Sequence, residues 1–282
     1  MNGRVERQDA SSLRGAAELL ASVDGELMPA RRAQISVSDE GLLRGDGVFE
    51  VVRLYAGRPF ALDAHLARMQ TSARNLLLEL DREAIEQDVR ALLSSGAAQD
   101  ALLRVLVTRG GRRIALLEAL PQLPDSIALG RVTYAPTLVL DGVKSLSYAA
   151  NMLAGRLARQ RGFDEALLVT PDGLVLECPT ASFFWVRHGE LLTPPLAEHL
   201  LDSITRRLIM SVTDAREHPS SFEDLAQAQE AFIASSVREV LPVARIEQFE
   251  LDPAGPRTSA AAALVRERID EQLAAAGASA GG

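Results

Sequence analysis

Lys144 is the only lysine in a chain of 282 residues that holds thirty lysines and arginines in total. The other twenty-nine are arginines. A guanidinium can replace an ammonium as a charge, but at neutral pH it cannot act as an amine nucleophile or form a Schiff base. The one retained amine is therefore a candidate covalent catalyst. The alternative is an arginine-rich codon bias with one lysine kept by chance.

A carboxylate stands in an otherwise apolar segment, LVLECPTASFFW, at Glu177. Such an acid either ends a strand at the surface or is buried against a partner. A buried carboxylate needs a cation or a hydrogen-bond donor. A protonated pyridine nitrogen would meet that need.

Two further segments could bind an anion. Ser203–Thr205 opens a predicted helix in LLDSITRRLIM, where free N–H groups and a hydroxyl favour an anion. An ordinary N-cap at Ser203 is the alternative. Ser235 and Ser236 could add hydroxyl groups, and Arg68 lies on a predicted helix from which it could reach a shared cleft or remain solvated.

Composition narrows the classes of function. With 47% hydrophobic residues the chain can bury a sizeable core, and its length suggests about two domains. A formal net charge of −8 argues against nucleic-acid binding, which depends on concentrated cations. The single cysteine, Cys178, excludes an intrachain disulfide and a cysteine-based zinc site, and fits a cytoplasmic location. No apolar run is long enough to predict a membrane span.

The first half of the chain predicts mixed α and β structure. Turn signals in LLASVDGELM and GVFEVVRLYAGRPFAL indicate two hairpins. Asp63 and Asp81 are candidate N-caps of the two helices that follow them. A short helical patch is expected in RGAAELLA, and strands are expected in ALLRVLVTRG and SIALGRVTYAP.

A proline and an Asp-Gly pair predict an interdomain connection at residues 135–142. It would join a small domain at 1–134 to a larger domain at 143–282. The larger domain should begin with a helix in SYAANMLAGRLARQRG and end with one in SAAAALVRERIDEQLAAA. Between them we expect hairpins in EALLVTPDGLVLEC and SFFWVRHGELLTPP, a helix in SITRRLIMSVTDA and a strand in EAFIASSVREVLPV.

Taken together, these segments resemble the fold-type IV family of pyridoxal-phosphate enzymes. That family includes branched-chain and D-amino acid aminotransferases, R-selective amine transaminases and aminodeoxychorismate lyases. The matching residues run in order from about Val37 to Val243 and comprise SDEGLLRGDGVFEVVRLYAGRPFALDAHLARM, VTRG, KSLSY, GFDEALLVTPDGLVLECPTASFF, LLTPPL, SITR and SSVREVLPV.

The resemblance implies a two-domain α/β (α+β) fold. Its small N-terminal domain would be α+β, and its larger C-terminal domain would have a β-barrel-like core with helices. The resemblance also implies pyridoxal 5′-phosphate as the cofactor and a homodimer with the active site near the subunit interface.

The resemblance also implies roles for single residues. Lys144 would bind the cofactor through a Schiff base and move protons between the substrate Cα and cofactor C4′. Glu177 would pair with the pyridine N1–H, and Arg68 would grip the phosphate. The phosphate cup would be completed by Ile204, Thr205, Ser235 and Ser236, and Phe49 and Tyr148 would line the substrate pocket.

The sequence leaves the substrate open. SSVREVLPV is similar to transaminases, whereas ECPTASFFW and KSLSYAANM favour aminodeoxychorismate lyases. After VTRG, where D-amino acid aminotransferases place an Arg and a His for the substrate carboxylate, this chain has Arg112 and Arg113 and no His. The favoured function is amino transfer between an amino acid, a D-amino acid first, or a primary amine and a 2-oxo acid. The alternatives are a lyase releasing pyruvate and p-aminobenzoate, and a non-catalytic pyridoxal-phosphate-binding protein.

Overall fold

The computed structural model describes residues 19–96 and 99–279. The helical patch predicted in RGAAELLA lies mostly outside the described residues, and its last two residues, Leu20 and Ala21, belong to a strand. The α-helices in the described part are α1 Glu40–Arg44, α2 Leu62–Asn75, α3 Arg82–Ser94, α4 Ala149–Gln160, α5 Ile204–Val212 and α6 Pro256–Ser279.

Fourteen strands in the described part form two sheets. The strands of the first sheet are β1 Leu20–Val23, β2 Glu26–Pro29, β3 Gly47–Tyr55, β4 Arg58–Pro59, β5 Ala101–Thr108 and β6 Arg113–Ala119. The strands of the second sheet are β7 Ile127–Thr133, β8 Glu165–Val169, β9 Ser182–Arg187, β10 Glu190–Thr193, β11 Arg216–Glu217, β12 Glu230–Ser235, β13 Glu239–Ile246 and β14 Phe249–Glu250.

The first sheet is antiparallel, with the order β2-β1-β6-β5-β3-β4. Its longest pairing joins β3 to β5, from Gly47 opposite Thr108 to Leu54 opposite Ala101. Side chains alternate along β3, so one face packs into the core with α2 and α3. The other face carries Phe49 and borders the cavity described below.

The second sheet has the order β11-β10-β9-β12-β13-β7-β8, with β14 added to β13. Buried aromatic residues, including Phe183 and Trp185, fill one side of it. Single bridges pair Val169 with Val175 and Leu174 with Ser221, and so extend the hydrogen bonding beyond β8 towards the segment after β11. The sheet therefore curls towards closure, in line with the β-barrel-like core that the resemblance implies.

β7 pairs with β8 and β13, so the chain passes from the first sheet to the second between Ala119 and Ile127. Two local predictions differ from the structure. The strand expected in EAFIASSVREVLPV is a hairpin, because residues 236–238 turn between β12 and β13. Asp63 is not the N-cap of α2, since the helix begins at Leu62, whereas Asp81 does cap α3. Parallel strand pairing depends on contacts distant in sequence, which local patterns do not contain.

None of the described helices is both long and apolar enough to cross a membrane.

Candidate active site

A cavity of about 410 Å³ lies between the two sheets and takes wall residues from both. Cavities of this size hold small cofactors and substrates. Segment 135–142, expected as a connection, contributes to its rim through Leu140 and Asp141. The predicted site residues that line the cavity are Phe49, Arg68, Lys144, Tyr148, Glu177, Ser235 and Ser236.

Backbone hydrogen bonds hold Lys144 beside β3. Phe49 N donates to the Lys144 carbonyl over 3.1 Å, and Lys144 N donates to the Ser72 hydroxyl on α2 over 3.1 Å. The amine lies 4.4 Å from the ring centroid of Phe49 and 5.8 Å from that of Tyr148. Removal from water lowers the pKa of Lys144 to about 8. The neutral, nucleophilic amine is therefore populated near neutral pH.

Glu177 enters the cavity from the hairpin that follows β8. Its carbonyl accepts a hydrogen bond of 2.9 Å from Leu168 N, and its Oε1 accepts a long one of 3.4 Å from Leu201 N. Burial raises the pKa of Glu177 to about 7, although the Leu201 hydrogen bond and the Lys144 charge oppose that shift. The carboxylate is thus poorly stabilised by the chain itself, and a protonated ring nitrogen would stabilise it.

The predicted phosphate ligand, Arg68, is held by a buried carboxylate. Its Nε and Nη2 donate to the two oxygens of Glu50 over 2.7 and 2.6 Å, a bidentate pair. His65 Nδ1 lies 2.8 Å from the same carboxylate. We call Glu50, His65 and Arg68 the anchor cluster. Burial alone would raise the pKa of Glu50, but the Arg68 charge and hydrogen bonds outweigh it and lower the pKa to about 2.

The sequence analysis does not predict Glu50 and His65 as site residues. Each nevertheless has a sequence feature that points to a contact with Arg68. Glu50 interrupts the apolar strand GVFEVVRLY, and His65 precedes Arg68 by three residues, a spacing that puts both side chains on one helix face. Because β3 alternates, Glu50 faces α2 while Phe49 faces the cavity. These two sequence features can be interpreted only after it is known which face of β3 packs on α2 and which face borders the cavity.

The N-terminus of α5 lies next to the anchor cluster. Ser203 caps the helix by accepting a hydrogen bond of 3.3 Å from a backbone N–H three residues later, and it lines the cavity. Ile204 and Thr205 form the first turn, and both are buried. The carbonyl of Asp202 accepts a hydrogen bond of 3.1 Å from Arg68 Nη1. Free N–H groups at this helix end favour an anion, and Arg68 adds positive charge beside them.

Ser235 and Ser236 reach the same cavity from the turn between β12 and β13. Ser236 Oγ lies 3.4 Å from His65 Nε2, which connects this turn to the anchor cluster. Arg68 on α2, Ser203 before α5, and Ser235 and Ser236 in the β12–β13 turn therefore border one cavity. Ile204 and Thr205, also predicted for the phosphate, do not line it.

Two aromatic residues form a wall beside Lys144. The rings of Phe49 and Tyr148 meet edge to face with centroids 5.3 Å apart. The Tyr148 hydroxyl donates to the Pro179 carbonyl over 2.5 Å, and burial raises the pKa of Tyr148. The phenol is thus a fixed neutral wall residue near neutral pH.

The arginines predicted to clamp a substrate do not line this cavity. Arg112 is bound by Asp24, and Arg113 Nε donates to Asp88 over 3.0 Å. Those acids lie in the β1–β2 turn and on α3, so the segment after VTRG packs away from the cavity of its own chain. Within the single chain, neither Arg112 nor Arg113 borders the cavity.

Two other arginines, Arg104 and Arg238, line the cavity instead. Arg104 Nε and Nη2 donate to Glu118 over 2.7 and 2.9 Å. The guanidinium carbon lies 5.7 Å from the ring centroid of Phe49, the ring that Lys144 also contacts. No motif marks Arg104 in ALLRVLVTRG, because its orientation depends on which face of β5 meets the cavity.

These observations fit pyridoxal phosphate. Lys144 offers an amine with a lowered pKa for its aldehyde. Glu177 offers a carboxylate that lacks adequate stabilisation from the chain, which suits a protonated pyridine nitrogen. Arg68 and the start of α5 offer positive charge and free N–H groups for the phosphate. All of these groups border one cavity.

The model of a protein family described as Amino-transferase class IV matches residues 47–246, most of the chain. The chain belongs to the class IV aminotransferases. This membership confirms the predicted family, the enzyme class and pyridoxal phosphate as the cofactor.

Relatives of this class IV aminotransferase have several activities. A protein of Methanocaldococcus jannaschii, provisionally named a branched-chain-amino-acid aminotransferase, is 34% identical over 82% of this chain and 87% of its own length. The aminodeoxychorismate lyase of Bacillus subtilis is 30% identical over 89% and 95%. The D-alanine aminotransferase of Bacillus licheniformis is 26% identical over 83% and 90%.

Solved structures share the fold. The branched-chain aminotransferase of Thermoproteus uzoniensis, determined with norvaline, superposes with a TM-score of 0.81 at 25% identity. The superposition covers 90% of this chain and 95% of that one. The predicted mixed α/β fold of the type IV family is therefore confirmed.

Proposed function

We propose that this protein is a pyridoxal-phosphate-dependent transaminase that moves an amino group between an amino acid or a primary amine and a 2-oxo acid. The observation that carries the proposal is the pairing of Lys144 and Glu177 across one cavity. Burial shifts their pKa values in opposite directions, to about 8 and about 7. Two titratable groups tuned apart from their ordinary ranges in one cleft are typical of an active site.

Each residue has a distinct task in this proposal. When bound, the cofactor supplies the electron sink for chemistry at the substrate Cα. Lys144 holds it covalently and carries the proton that leaves and returns at that carbon. Glu177 keeps the proton on the pyridine nitrogen, and Arg68 with the α5 N-terminus holds the phosphate. Ile204, Thr205, Ser235 and Ser236 complete the phosphate site.

Arg104 is the proposed ligand of a substrate carboxylate in place of Arg112 and Arg113. Its position beside the Phe49 ring places a cation near the Lys144 amine. A guanidinium can bind a carboxylate through two N–H groups. Glu118 occupies one edge of the guanidinium, which fixes its orientation and leaves Nη1 for a ligand.

Arg104→Met should raise KM for amino acid donors about tenfold, the scale of a lost charge-assisted hydrogen bond, with little effect on an amine that has no carboxylate. Arg112→Ala is the matched comparison, because its side chain is held by Asp24 outside the cavity. Equal KM values for Arg104→Met and the parent would refute the assignment. A larger effect at Arg112 would mean that a second subunit completes the site.

Donor and acceptor are tested together by product analysis of the holoenzyme. D-alanine, L-leucine and (R)-1-phenylethylamine would each be offered with a 2-oxo acid, and aminodeoxychorismate would be offered alone. We expect an amino acid product that appears only when donor and acceptor are both present, with D-alanine as the first donor. Pyruvate and p-aminobenzoate released without an acceptor would instead favour lyase activity, which the relationship to the Bacillus subtilis enzyme keeps as the second candidate.

A homodimer is the proposed assembly. Apolar side chains are strongly exposed on the surface of the single chain: Val37, Leu42, Leu43, Leu138 and Val139. Exposed apolar groups in number favour burial against a partner. Leu138 and Val139 lie in segment 135–142, which borders the cavity, so a partner there would stand close to the active site. An active monomer by light scattering would contradict the assembly.

A further inference from the structure

A buried histidine lies directly behind the proposed phosphate site. The side chain of His65, on α2, is only 1% exposed and does not line the cavity. Its Nδ1 lies 2.8 Å from Glu50 Oε2, and its Nε2 lies 3.4 Å from Ser236 Oγ. Ser236 does line the cavity. The imidazole therefore connects a buried carboxylate on one side with a proposed phosphate ligand on the other.

The carboxylate decides which ring nitrogen of His65 carries a proton. Arg68 donates two hydrogen bonds to Glu50 and holds it in the ionised form, with a pKa of about 2. An ionised carboxylate only accepts hydrogen bonds, so Nδ1 carries the proton that is donated to Glu50. A neutral imidazole has a single N–H, and its Nε2 is then an acceptor. The Ser236 hydroxyl consequently donates to a neutral His65.

A phosphate group at Ser236 competes for the same hydroxyl proton. Phosphate oxygens are strong acceptors, so the Ser236 side chain binds them by donating its O–H. The hydroxyl has one proton and cannot donate to His65 and to phosphate at once. A proton on His65 Nε2 removes the conflict, because the ring then donates to Ser236 Oγ and frees the hydroxyl. At 3.4 Å the hydrogen bond that must be given up is long and therefore weak.

The charges around His65 favour this change when an anion binds. Burial lowers the pKa of His65, Glu50 opposes that shift, and the charges of Arg68 and Lys144 add to it. The ring is therefore neutral near pH 7. Glu50 and Arg68 already form an ion pair with each other. A phosphate dianion adds new negative charge beside the ring and so raises the pKa of His65.

We infer that His65 is a positioning residue that takes up a proton from solvent when the phosphate of the cofactor binds. The proton forms an N–H bond at Nε2, the imidazolium donates to Glu50 and to Ser236, and the Ser236 hydroxyl turns to the phosphate. Cofactor binding is thereby coupled to pH. This inference rests on the phosphate site within the proposed function. The competing role is that of a permanently neutral histidine that only supports Glu50 beside Arg68.

Calorimetry in buffers with different heats of ionisation counts the protons taken up on binding. The full chain without cofactor would be titrated with pyridoxamine 5′-phosphate, which forms no Schiff base with Lys144, at about pH 6.5, the ordinary pKa of histidine. His65→Asn offers an amide N–H to Glu50 in place of Nδ1 and cannot be protonated. Ionisation of the ligand phosphate itself contributes to parent and variant alike, so the difference between them reports on His65.

Two adjacent serines provide a matched control. Both line the cavity, but Ser235 Oγ accepts a hydrogen bond of 3.2 Å from Arg238 N, whereas Ser236 Oγ is the one next to His65. We expect the parent to take up roughly half to one proton more than His65→Asn, Ser236→Ala to lose most of this uptake, and Ser235→Ala to keep it. Because a proton is taken up, the dissociation constant should rise with pH around this value, about threefold to tenfold more per pH unit than in His65→Asn.

Nitrogen NMR locates the proton in the parent protein. The chain has four histidines, His65, His188, His199 and His218, so isotopic labelling of this residue type gives few signals. His218 is an internal reference, because its Nδ1 also lies near a hydroxyl, that of Ser220 at 3.1 Å, but it does not line the cavity. We expect Nε2 of His65 alone to become protonated when pyridoxamine 5′-phosphate is added. This signal decides the question even if His65→Asn unfolds.

Equal proton numbers in parent and His65→Asn, or an Nε2 that stays unprotonated in the complex, would overturn the inference and leave His65 as a neutral support of Glu50. Full proton uptake in Ser236→Ala would overturn the coupling through that hydroxyl. The proposed function fails separately, since a chain that binds pyridoxamine 5′-phosphate with this proton uptake but transfers no amino group would retain the coupling and lose the transaminase.

Discussion

Two buried carboxylates in this site have opposite electrostatic environments. In the anchor cluster, Arg68 clamps Glu50 with two hydrogen bonds and lowers its pKa to about 2. Across the cavity, Glu177 has a single long hydrogen bond, and burial raises its pKa to about 7. The charge of Glu50 is thus neutralised by Arg68, whereas the carboxylate of Glu177 has no comparable cationic partner among its hydrogen bonds.

The difference supports the cofactor site proposed at Lys144 and Glu177. The anchor cluster is already charge-balanced and serves to orient Arg68. Burial disfavours the charged forms of both Lys144 and Glu177, so a ligand that stabilises those forms would bind with extra free energy.

Replacement of the unique amine should have the largest effect. Lys144→Arg keeps a cation but cannot form the covalent bond to the cofactor. We expect turnover to fall by at least about 10⁴-fold, the scale of removing a covalent catalytic group. Steady-state kinetics of variant and parent at saturating cofactor measure it. Near-parental activity would contradict the assignment of Lys144 as the residue that binds the cofactor covalently.

The raised pKa of Glu177 predicts a pH-dependent stability of the protein without cofactor. The folded state holds a proton on this group up to about pH 7, whereas the unfolded chain releases it near pH 4.5. The folded state therefore loses stability as pH rises between those values, by about 3 kcal/mol from this group. Denaturant unfolding of parent and Glu177→Gln across this range should show the loss in the parent only. If the free energy of unfolding of parent and variant changed with pH in the same way, the pKa of Glu177 would not be raised in the folded protein.

Glu177→Gln should also slow the reaction of the holoenzyme while cofactor still binds. The amide cannot hold the proton on the pyridine nitrogen as a carboxylate does. We expect kcat to fall about a hundredfold, comparable to the loss of one preorganised electrostatic partner. Unchanged turnover would reduce Glu177 to a structural residue of its hairpin.

Loss of Arg68 from the anchor cluster should weaken binding of the cofactor. Arg68→Ala removes the proposed phosphate ligand and leaves Glu50 buried without its cation. The cofactor dissociation constant should rise about tenfold or more. Inorganic phosphate should compete with cofactor in the parent and less so in the variant. An unaltered dissociation constant would contradict the phosphate role.

The contrast between the two regions also explains what the sequence could predict. Lys144 and Glu177 were identified because each is anomalous in its own neighbourhood, a lone amine among arginines and an acid among apolar residues. Ser203 was identified because N-caps have a local signature, and the structure confirms the cap.

The sequence alone could not predict the positions of three further residues at the site, Arg104, Arg238 and Glu50, because these depend on the tertiary structure. Their neighbourhoods offer several charged residues, and only the pairing of β3 with β5 and the turn between β12 and β13 decide which ones face the cavity. The position of β7 in the second sheet could not be predicted for the same reason, because its partner strand β13 lies far away in sequence. Arg112 and Arg113 were chosen by their distance from VTRG, and the fold directs them elsewhere in the single chain.

We propose that Lys144 is the covalent attachment point of the cofactor. Borohydride reduction of the holoenzyme followed by peptide mapping tests it directly, because no other side-chain amine is present in the chain. We expect the pyridoxyl mass on the peptide that contains Lys144 and on no other peptide. Label confined to the N-terminal amine, or a protein that stays unlabelled after loading with cofactor, would contradict the account.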